Sequence, residues 1–84
     1  MPQITVYSTA RCPYCMRAKA FLTQRGVDFE EIMIPPSDHE GRQRLVEATG
    51  GYTFPQIVID DRSIGGWDEM SALDRAGELD ALLT

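Results

Sequence analysis

The hydrophobic period of the chain changes at Pro13, and this change constrains the first half of the fold. Residues 3–8 (QITVYS) alternate and are rich in β-branched side chains, which predicts a strand with Ile4 and Val6 on one face. After Pro13 the apolar residues recur at helical spacing. The predicted inward face of this helix consists of Cys15, Ala18, Phe21 and Leu22. Pro13 suits the first helical position, because its missing N–H would have no partner there, and Gly26 suits the position after the helix.

A second strand and a second helix follow. Residues 27–34 (VDFEEIMI) predict the strand. The Ser37-x-x-Glu40 spacing is typical of a capping box and predicts the start of the helix at Ser37. Leu45 and Val46 are the expected apolar contacts of this helix.

The remaining residues predict a hairpin and two short helices. The hairpin strands are 56–60 and 63–64, and the helices are 68–76 and 78–83. The inward residues of the first of these helices are expected to be Met70, Leu73 and Ala76. A βαβ unit followed by a hairpin predicts an α/β fold with a four-stranded mixed sheet flanked by helices. We expect residues 1–84 to form a single domain.

Composition excludes several classes of partner. The net charge of −5 and the scattered cations argue against nucleic-acid binding. No apolar stretch approaches the roughly 20 residues of a membrane helix, and residues 1–8 do not resemble a leader, so no membrane association is expected. We therefore expect a cytoplasmic monomer. In a reducing compartment a lasting structural disulfide is improbable, which directs attention to metal or redox use of the two cysteines.

Cys12 and Cys15 lie where the predicted strand gives way to the predicted helix. The sulfur of Cys12 would meet unpaired N–H groups and the positive end of the helix dipole, and Arg11 adds positive charge. These neighbours favour the thiolate and should lower the pKa of Cys12 below the ~8.5 of free cysteine. Cys15 lies one turn later on the core face, with Cβ atoms ~5–6 Å apart at this spacing, so a disulfide is within reach. We expect Cys12 to attack and Cys15 to resolve.

Three other uses of the cysteines carry less weight. A disulfide across so short a loop constrains the unfolded chain very little. Zinc usually takes four ligands, and the chain offers two thiols and one imidazole, His39, so no metal is expected. Two inert core cysteines fit poorly with Pro13 at a helix start. A C-x-x-C motif near a βαβ pattern instead indicates redox chemistry.

Three segments together resemble the dithiol glutaredoxins of the small bacterial type: CPYC at 12–15, TFPQIVID at 53–60 and GGWDEM at 65–70. The match covers nearly the whole chain in order and spacing. The resemblance implies a thioredoxin-like fold and a glutathione-dependent thiol–disulfide oxidoreductase. Its substrates would be protein–glutathione mixed disulfides and protein disulfides. Ribonucleotide reductase is a family substrate that these residues do not themselves indicate.

The resemblance also implies a glutathione site. Pro55 would be cis, with the backbone of Phe54, after Thr53, pairing with glutathione in β fashion. The amides of Trp67 and Asp68 would bind the γ-glutamyl carboxylate, since helix N-termini bind anions, and the Asp68 carboxylate would pair with the ammonium group. The remaining contacts would come from Tyr14 beside the ligand and from Gly66, which permits close approach. Without the resemblance, Asp68 would be interpreted as a plain helix N-cap.

Two positions depart from the family pattern. Many glutaredoxins have a lysine three residues before the first cysteine, where it meets the glycine carboxylate of glutathione, and this chain has Thr9. Arg42 is the expected substitute, with Arg11 as a second candidate. Where the family usually has a small residue, this chain has Trp67, which would either shape the rim toward a partner or cover apolar surface.

Two rival functions stay open. A glutaredoxin-like redoxin reduced by thioredoxin reductase usually carries a Trp-Ser-Gly-Phe-type motif where this chain has GGWDEM. An iron–sulfur carrier would use Cys12 from two chains and two glutathiones to hold a [2Fe–2S] cluster. Pro13 and Cys15 weigh against the carrier.

Overall fold

A computed structural model describes residues 2–83, which form four strands and four helices. In chain order these are β1 (Ile4–Ser8), α1 (Pro13–Gln24), β2 (Glu30–Met33), α2 (His39–Thr49), β3 (Gln56–Ile59), β4 (Arg62–Gly65), α3 (Trp67–Arg75) and α4 (Leu79–Leu83). No helix among these residues is long and apolar enough to cross a bilayer.

The strands form one mixed sheet in the order β2-β1-β3-β4. The central strand β1 is parallel to β2 and antiparallel to β3, and β3 is antiparallel to β4. The β1–α1–β2 unit is therefore followed by a β3–β4 hairpin. This topology confirms the α/β fold expected from the sequence.

The core lies where alternate residues of β1 and β3 meet the inward faces of the helices. Ile4 and Val6 are buried as predicted, and they face a helix whose buried residues are Cys15, Ala18 and Leu22. The other residues of the hydrophobic core are Ile57, Ile59, Met70, Leu79 and Leu83.

Two residues expected in the core lie at the surface. Val46 is 43% exposed, whereas Leu45 beside it is fully buried. Gly41 and Leu45, four residues apart, face inward, so Val46 is turned away by about 100°. Ala76 is exposed because it is the C-cap of α3, where the helix has already ended. The strand expected over residues 27–34 is shorter, since only Glu30–Met33 pair with β1.

The start of α2 differs from the capping-box prediction by one residue. Asp38, not Ser37, is the N-cap, and its carboxylate accepts the Gly41 N–H at 2.9 Å. Gly41 permits this arrangement, because a Cβ there would overlap the Asp38 carboxylate and press on Ile34. Ser37 and Asp38 are both residue types that cap helices, and the absence of a side chain at Gly41 leaves room for the Asp38 carboxylate.

A buried hydroxyl and an ion pair tie α1 to the sheet near the end of β1. Ser8 Oγ donates to Glu31 Oε2 at 2.6 Å, and Lys19 Nζ of α1 donates to the same oxygen at 2.7 Å. The hydrogen bond from Lys19, followed by that from Ser8, lowers the pKa of Glu31. These bonds fix the strand end that leads to Cys12.

The other end of α1 is tied to α3 and α4. Arg25 forms ion pairs with Asp74 of α3 and Asp80 of α4. Its guanidinium also lies over the Phe21 ring, 4.5 Å from the centroid. Both cations in the second half of α1 and its C-cap are therefore matched by carboxylates.

We expect Asp38→Ala to lower the free energy of unfolding by about 1 kcal/mol, because the Gly41 N–H loses its acceptor. The matched control Ser37→Ala should stay within about 0.5 kcal/mol of the parent chain. Denaturant unfolding of the two variants measures both values. A loss in Ser37→Ala with none in Asp38→Ala would assign the cap to Ser37.

Candidate active site

Cys12 lies in the connection between β1 and α1, immediately before the first residue of the helix. Its backbone is extended (φ −116°, ψ 98°), and it is the N-cap of the helix that begins at Pro13. The Cys12 sulfur accepts the Cys15 N–H at 3.1 Å. The helix therefore directs an otherwise unpaired amide at this sulfur, as the sequence predicts.

The two cysteines form a disulfide, with Cα atoms 5.2 Å apart. The i, i+3 spacing thus brings the two sulfurs within bonding distance. Cys15 is 1% exposed, whereas Cys12 is only partly buried. A thiol arriving from solvent therefore reaches Cys12 first. No carboxylate occurs in the first turn of α1 to oppose a negative charge on Cys12.

A cavity of about 200 Å³ opens between the start of α1, the segment before β3 and the start of α3. Its walls are Tyr14, Thr53, Phe54, Pro55, Gly66, Trp67, Asp68 and Glu69. All of these except Glu69 are among the binding residues predicted from the sequence. The structure therefore brings together three segments that are distant along the chain.

The segment before β3 carries a cis peptide bond between Phe54 and Pro55, as the resemblance implies. Pro55 is buried, and its carbonyl oxygen faces Gly66. A Cβ at Gly66 would stand 3.1 Å from that oxygen, which is closer than side chains normally approach. Glycine at this position lets the start of α3 lie directly against the segment.

The start of α3 is capped from within the helix. Gly66 is the N-cap, and Glu69 Oε1 accepts its N–H at 2.8 Å. Asp68 is the second helical residue and is exposed, so the interpretation of Asp68 as an N-cap is wrong. The Trp67 and Asp68 amides have no intrahelical acceptor at these positions and remain able to bind an anion.

Sequence reasoning missed two residues of the site. Glu69 lines the cavity and caps α3, and the Gly66-x-x-Glu69 spacing was a usable signal for it. Gln56 is 5% exposed, and its Nε2 donates to Thr53 Oγ1 at 3.1 Å. This hydrogen bond links the segment before β3, which lines the cavity, to the buried first residue of that strand. No local pattern distinguishes this glutamine from an ordinary strand residue.

Trp67 serves the core as well as the cavity. Its ring meets Phe21 of α1 edge to face, with centroids 5.8 Å apart and planes at 79°. The ring also packs against the main core cluster. Of its two possible roles, the contacts favour covering apolar surface.

Two arginines lie over aromatic residues of the cavity. The Arg42 guanidinium is 5.7 Å from the centroid of Phe54, and that of Arg17 is 5.3 Å from the centroid of Tyr14. Arg42 is thus at the edge of the cavity rather than in its wall. Thr9 does not line the cavity, and its buried hydroxyl has no hydrogen-bond partner among residues 2–83.

Metal binding gains no support from the described part of the chain. Within residues 2–83 there is no group of three His, Cys, Asp or Glu side chains that could hold an ion. His39 is the exposed first residue of α2.

Comparison with known proteins agrees with this geometry. The glutaredoxin family model matches residues 4–64. A glutaredoxin of Pseudomonas aeruginosa is 49% identical over 84 residues, covering 100% of this chain and 99% of that protein. Glutaredoxin 3 of Escherichia coli K12 is 43% identical over 83 residues, covering 99% of both chains. The crystal structure of a buckwheat glutaredoxin–glutathione complex superposes with a TM-score of 0.85 at 29% identity, covering 98% of this chain and 76% of that one.

In the reduced chain we expect iodoacetamide to alkylate Cys12 near neutral pH faster than it alkylates free cysteine, because the Cys15 amide and the helix dipole favour the thiolate. Cys15, which is almost completely buried, is the internal control and should react far more slowly. Mass spectrometry of timed samples gives both rates. Reaction of Cys12 at the rate of free cysteine would remove the electrostatic role assigned to the helix.

Proposed function

The chain belongs to the glutaredoxin family and is a thiol–disulfide oxidoreductase, and we propose that glutathione is its co-substrate, bound in the cavity between α1, the cis-proline segment and α3. The observation that carries the proposal is the position of this cavity, whose wall includes Tyr14, two residues after the capping sulfur of Cys12. Support also comes from the buckwheat relative, whose crystal structure is a complex with glutathione.

Each part of glutathione has a complementary group in or near the cavity. The peptide-like middle would pair with the Phe54 backbone, and Tyr14 would lie beside it. The γ-glutamyl carboxylate would accept hydrogen bonds from the free amides at the start of α3, and the ammonium group would pair with Asp68. The glycine carboxylate would meet Arg42, which already lies at the edge of the cavity over Phe54.

The proposed reaction is a pair of exchanges at one sulfur. The Cys12 thiolate attacks the glutathione sulfur of a mixed disulfide, so the Cys12–glutathione bond forms and the protein thiolate leaves and takes up a proton. The thiolate of a second glutathione then attacks the glutathionyl sulfur on Cys12. Oxidised glutathione forms, and Cys12 returns as the thiolate.

Protein disulfides require the second cysteine. Cys12 attacks one sulfur of the substrate, and the Cys15 thiolate then attacks Cys12, which releases the reduced substrate and closes the Cys12–Cys15 bond. Two glutathiones reduce that bond in turn. We infer that the protein partners are glutathionylated and disulfide-bonded proteins, with ribonucleotide reductase as one example from the family. We also propose that the chain acts as a monomer with a single domain, in the reducing cytoplasm.

Exchange of each cysteine tests this division of roles. Cys12→Ser should abolish activity on both mixed disulfides and protein disulfides, because it removes the attacking sulfur. Cys15→Ser should keep deglutathionylation and lose protein disulfide reduction. Both rates are measured with glutathione, glutathione reductase and NADPH. Equal loss of both activities in Cys15→Ser would contradict the assignment.

Arg42 is tested by comparison with a neighbour on the same helix. Arg42→Ala should raise KM for glutathione by about two- to fivefold, the effect of losing one exposed ion pair. Arg44→Ala removes the same charge from α2 at a residue that lines a different cavity, beside Tyr7 and Asp38, and is the matched control. An unchanged KM in Arg42→Ala would exclude Arg42 as the substitute for the lysine that Thr9 replaces.

A further inference from the structure

The four cations of α1 and its flanking residues divide into two that are neutralised and two that are not. Lys19 is paired with Glu31, and Arg25 with aspartates of α3 and α4. Arg11 and Arg17, the two nearest the cysteines, are exposed and have no ion-pair partner in the part of the chain described. Since α1 contains no Asp or Glu, its N-terminal end carries uncompensated positive charge, to which the helix dipole adds.

Two exposed apolar side chains lie between these two arginines in the sequence. Met16 is 68% exposed and Tyr14 is 53% exposed. The Arg17 guanidinium lies over the Tyr14 ring, 5.3 Å from its centroid. We call this surface, formed by Arg11, Tyr14, Met16 and Arg17, the α1 patch. Exposed cationic and apolar side chains next to one another are complementary to a segment that carries an acidic residue beside apolar ones.

We propose that the α1 patch docks the protein half of a glutathione mixed disulfide and favours substrates with an acidic residue within two positions of the modified cysteine. This inference rests on the proposed function, in which the cavity takes the glutathionyl half and leaves the protein half outside. In a displacement at sulfur the leaving sulfur is roughly 4–5 Å from the Cys12 sulfur, two sulfur–sulfur bonds away. Two extended residues add about 7 Å. Arg11 directly precedes Cys12, and Arg17 lies five residues after it, which corresponds to a rise of about 7.5 Å along the helix.

The acidic groups near the site act on the other half of the substrate. Asp68 and Glu69 line the cavity wall formed by α3, where the glutathionyl group would bind. The net charge of −5 repels acidic substrates only at long range, and salt screens that repulsion beyond about 10 Å at 0.1 M. The charge that a neighbouring residue of the substrate meets is therefore that of the α1 patch.

Two glutathionylated peptides that differ only in the residues beside the modified cysteine, Asp in one and Lys in the other, test the proposal. The parent chain should show kcat/KM about three- to tenfold higher for the Asp peptide at about 0.1 M NaCl, where the repulsion by the net charge is screened, since each exposed charge pair contributes up to about fivefold. The ratio should approach one in 0.5 M NaCl. The mixed disulfide of glutathione and mercaptoethanol, which has no flanking residues, is assayed in parallel.

Charge reversal identifies the residue responsible. Arg17→Glu should bring the Asp/Lys ratio to one or below, and Arg17→Ala should give an intermediate ratio. The matched control is Arg62→Glu, an exposed residue at the first position of β4 and thus at the end of that strand opposite to Gly66, which should keep the parent ratio within about twofold. A parent chain without preference, a preference kept in Arg17→Glu, or an equal loss in Arg62→Glu would each overturn the α1 patch. Inactivity of the parent chain on the mercaptoethanol disulfide would instead overturn the proposed function.

Discussion

One hydrogen bond, from the Cys15 amide to the Cys12 sulfur, sets the geometry on which the site depends. This bond makes the Cys12 side chain the N-cap of α1, with the backbone of Cys12 extended and that of Cys15 already helical. The first sulfur stays accessible, and the second enters the core face of the helix. A serine or aspartate would also cap this helix, but neither could exchange a disulfide. The Cys12 sulfur therefore both caps the helix and provides the group that exchanges disulfides.

The sheet topology explains why three distant segments share one cavity. Because β1 and β3 are antiparallel, Tyr7, the last residue but one of β1, lies opposite Gln56, the first residue of β3. The β3–β4 hairpin returns the chain to the same edge, with Gly65 opposite Ile57. The segment with Cys12 and Cys15, the cis-proline segment and the start of α3 consequently lie next to one another at the same edge of the sheet. Gly66 then allows contact between the last two at their backbones.

The parts of this molecule that the sequence predicts are those controlled by local signals. The strand before Cys12, the start of α1 at Pro13 and its end before Gly26 all follow from period and capping residues. Predictions fail where neighbours in space decide. Asp38, whose carboxylate fits in the space beside Gly41, caps α2 in place of Ser37, and the orientation of α2 turns Val46 outward.

The same distinction applies within the site. The cysteines and the cavity residues form sequence motifs, so they are found without coordinates, although their glutathione-binding roles stay predictions. Gln56 acts through a hydrogen bond to Thr53 from inside the sheet, and a buried polar residue of this kind has no sequence signature. Arg17 looks like any solvated helix charge until the ion pairs of Lys19 and Arg25 show which cations are left unmatched.

The indole that joins the cavity wall to Phe21 gives the molecule a built-in optical reporter. Trp67 is the single tryptophan of the chain, so the fluorescence excited at the red edge of protein absorption comes from one known position. Its side chain packs against the core, and the residue also lines the cavity. Its emission is therefore placed to sense changes in polarity when the cavity fills, with no label to perturb the surroundings.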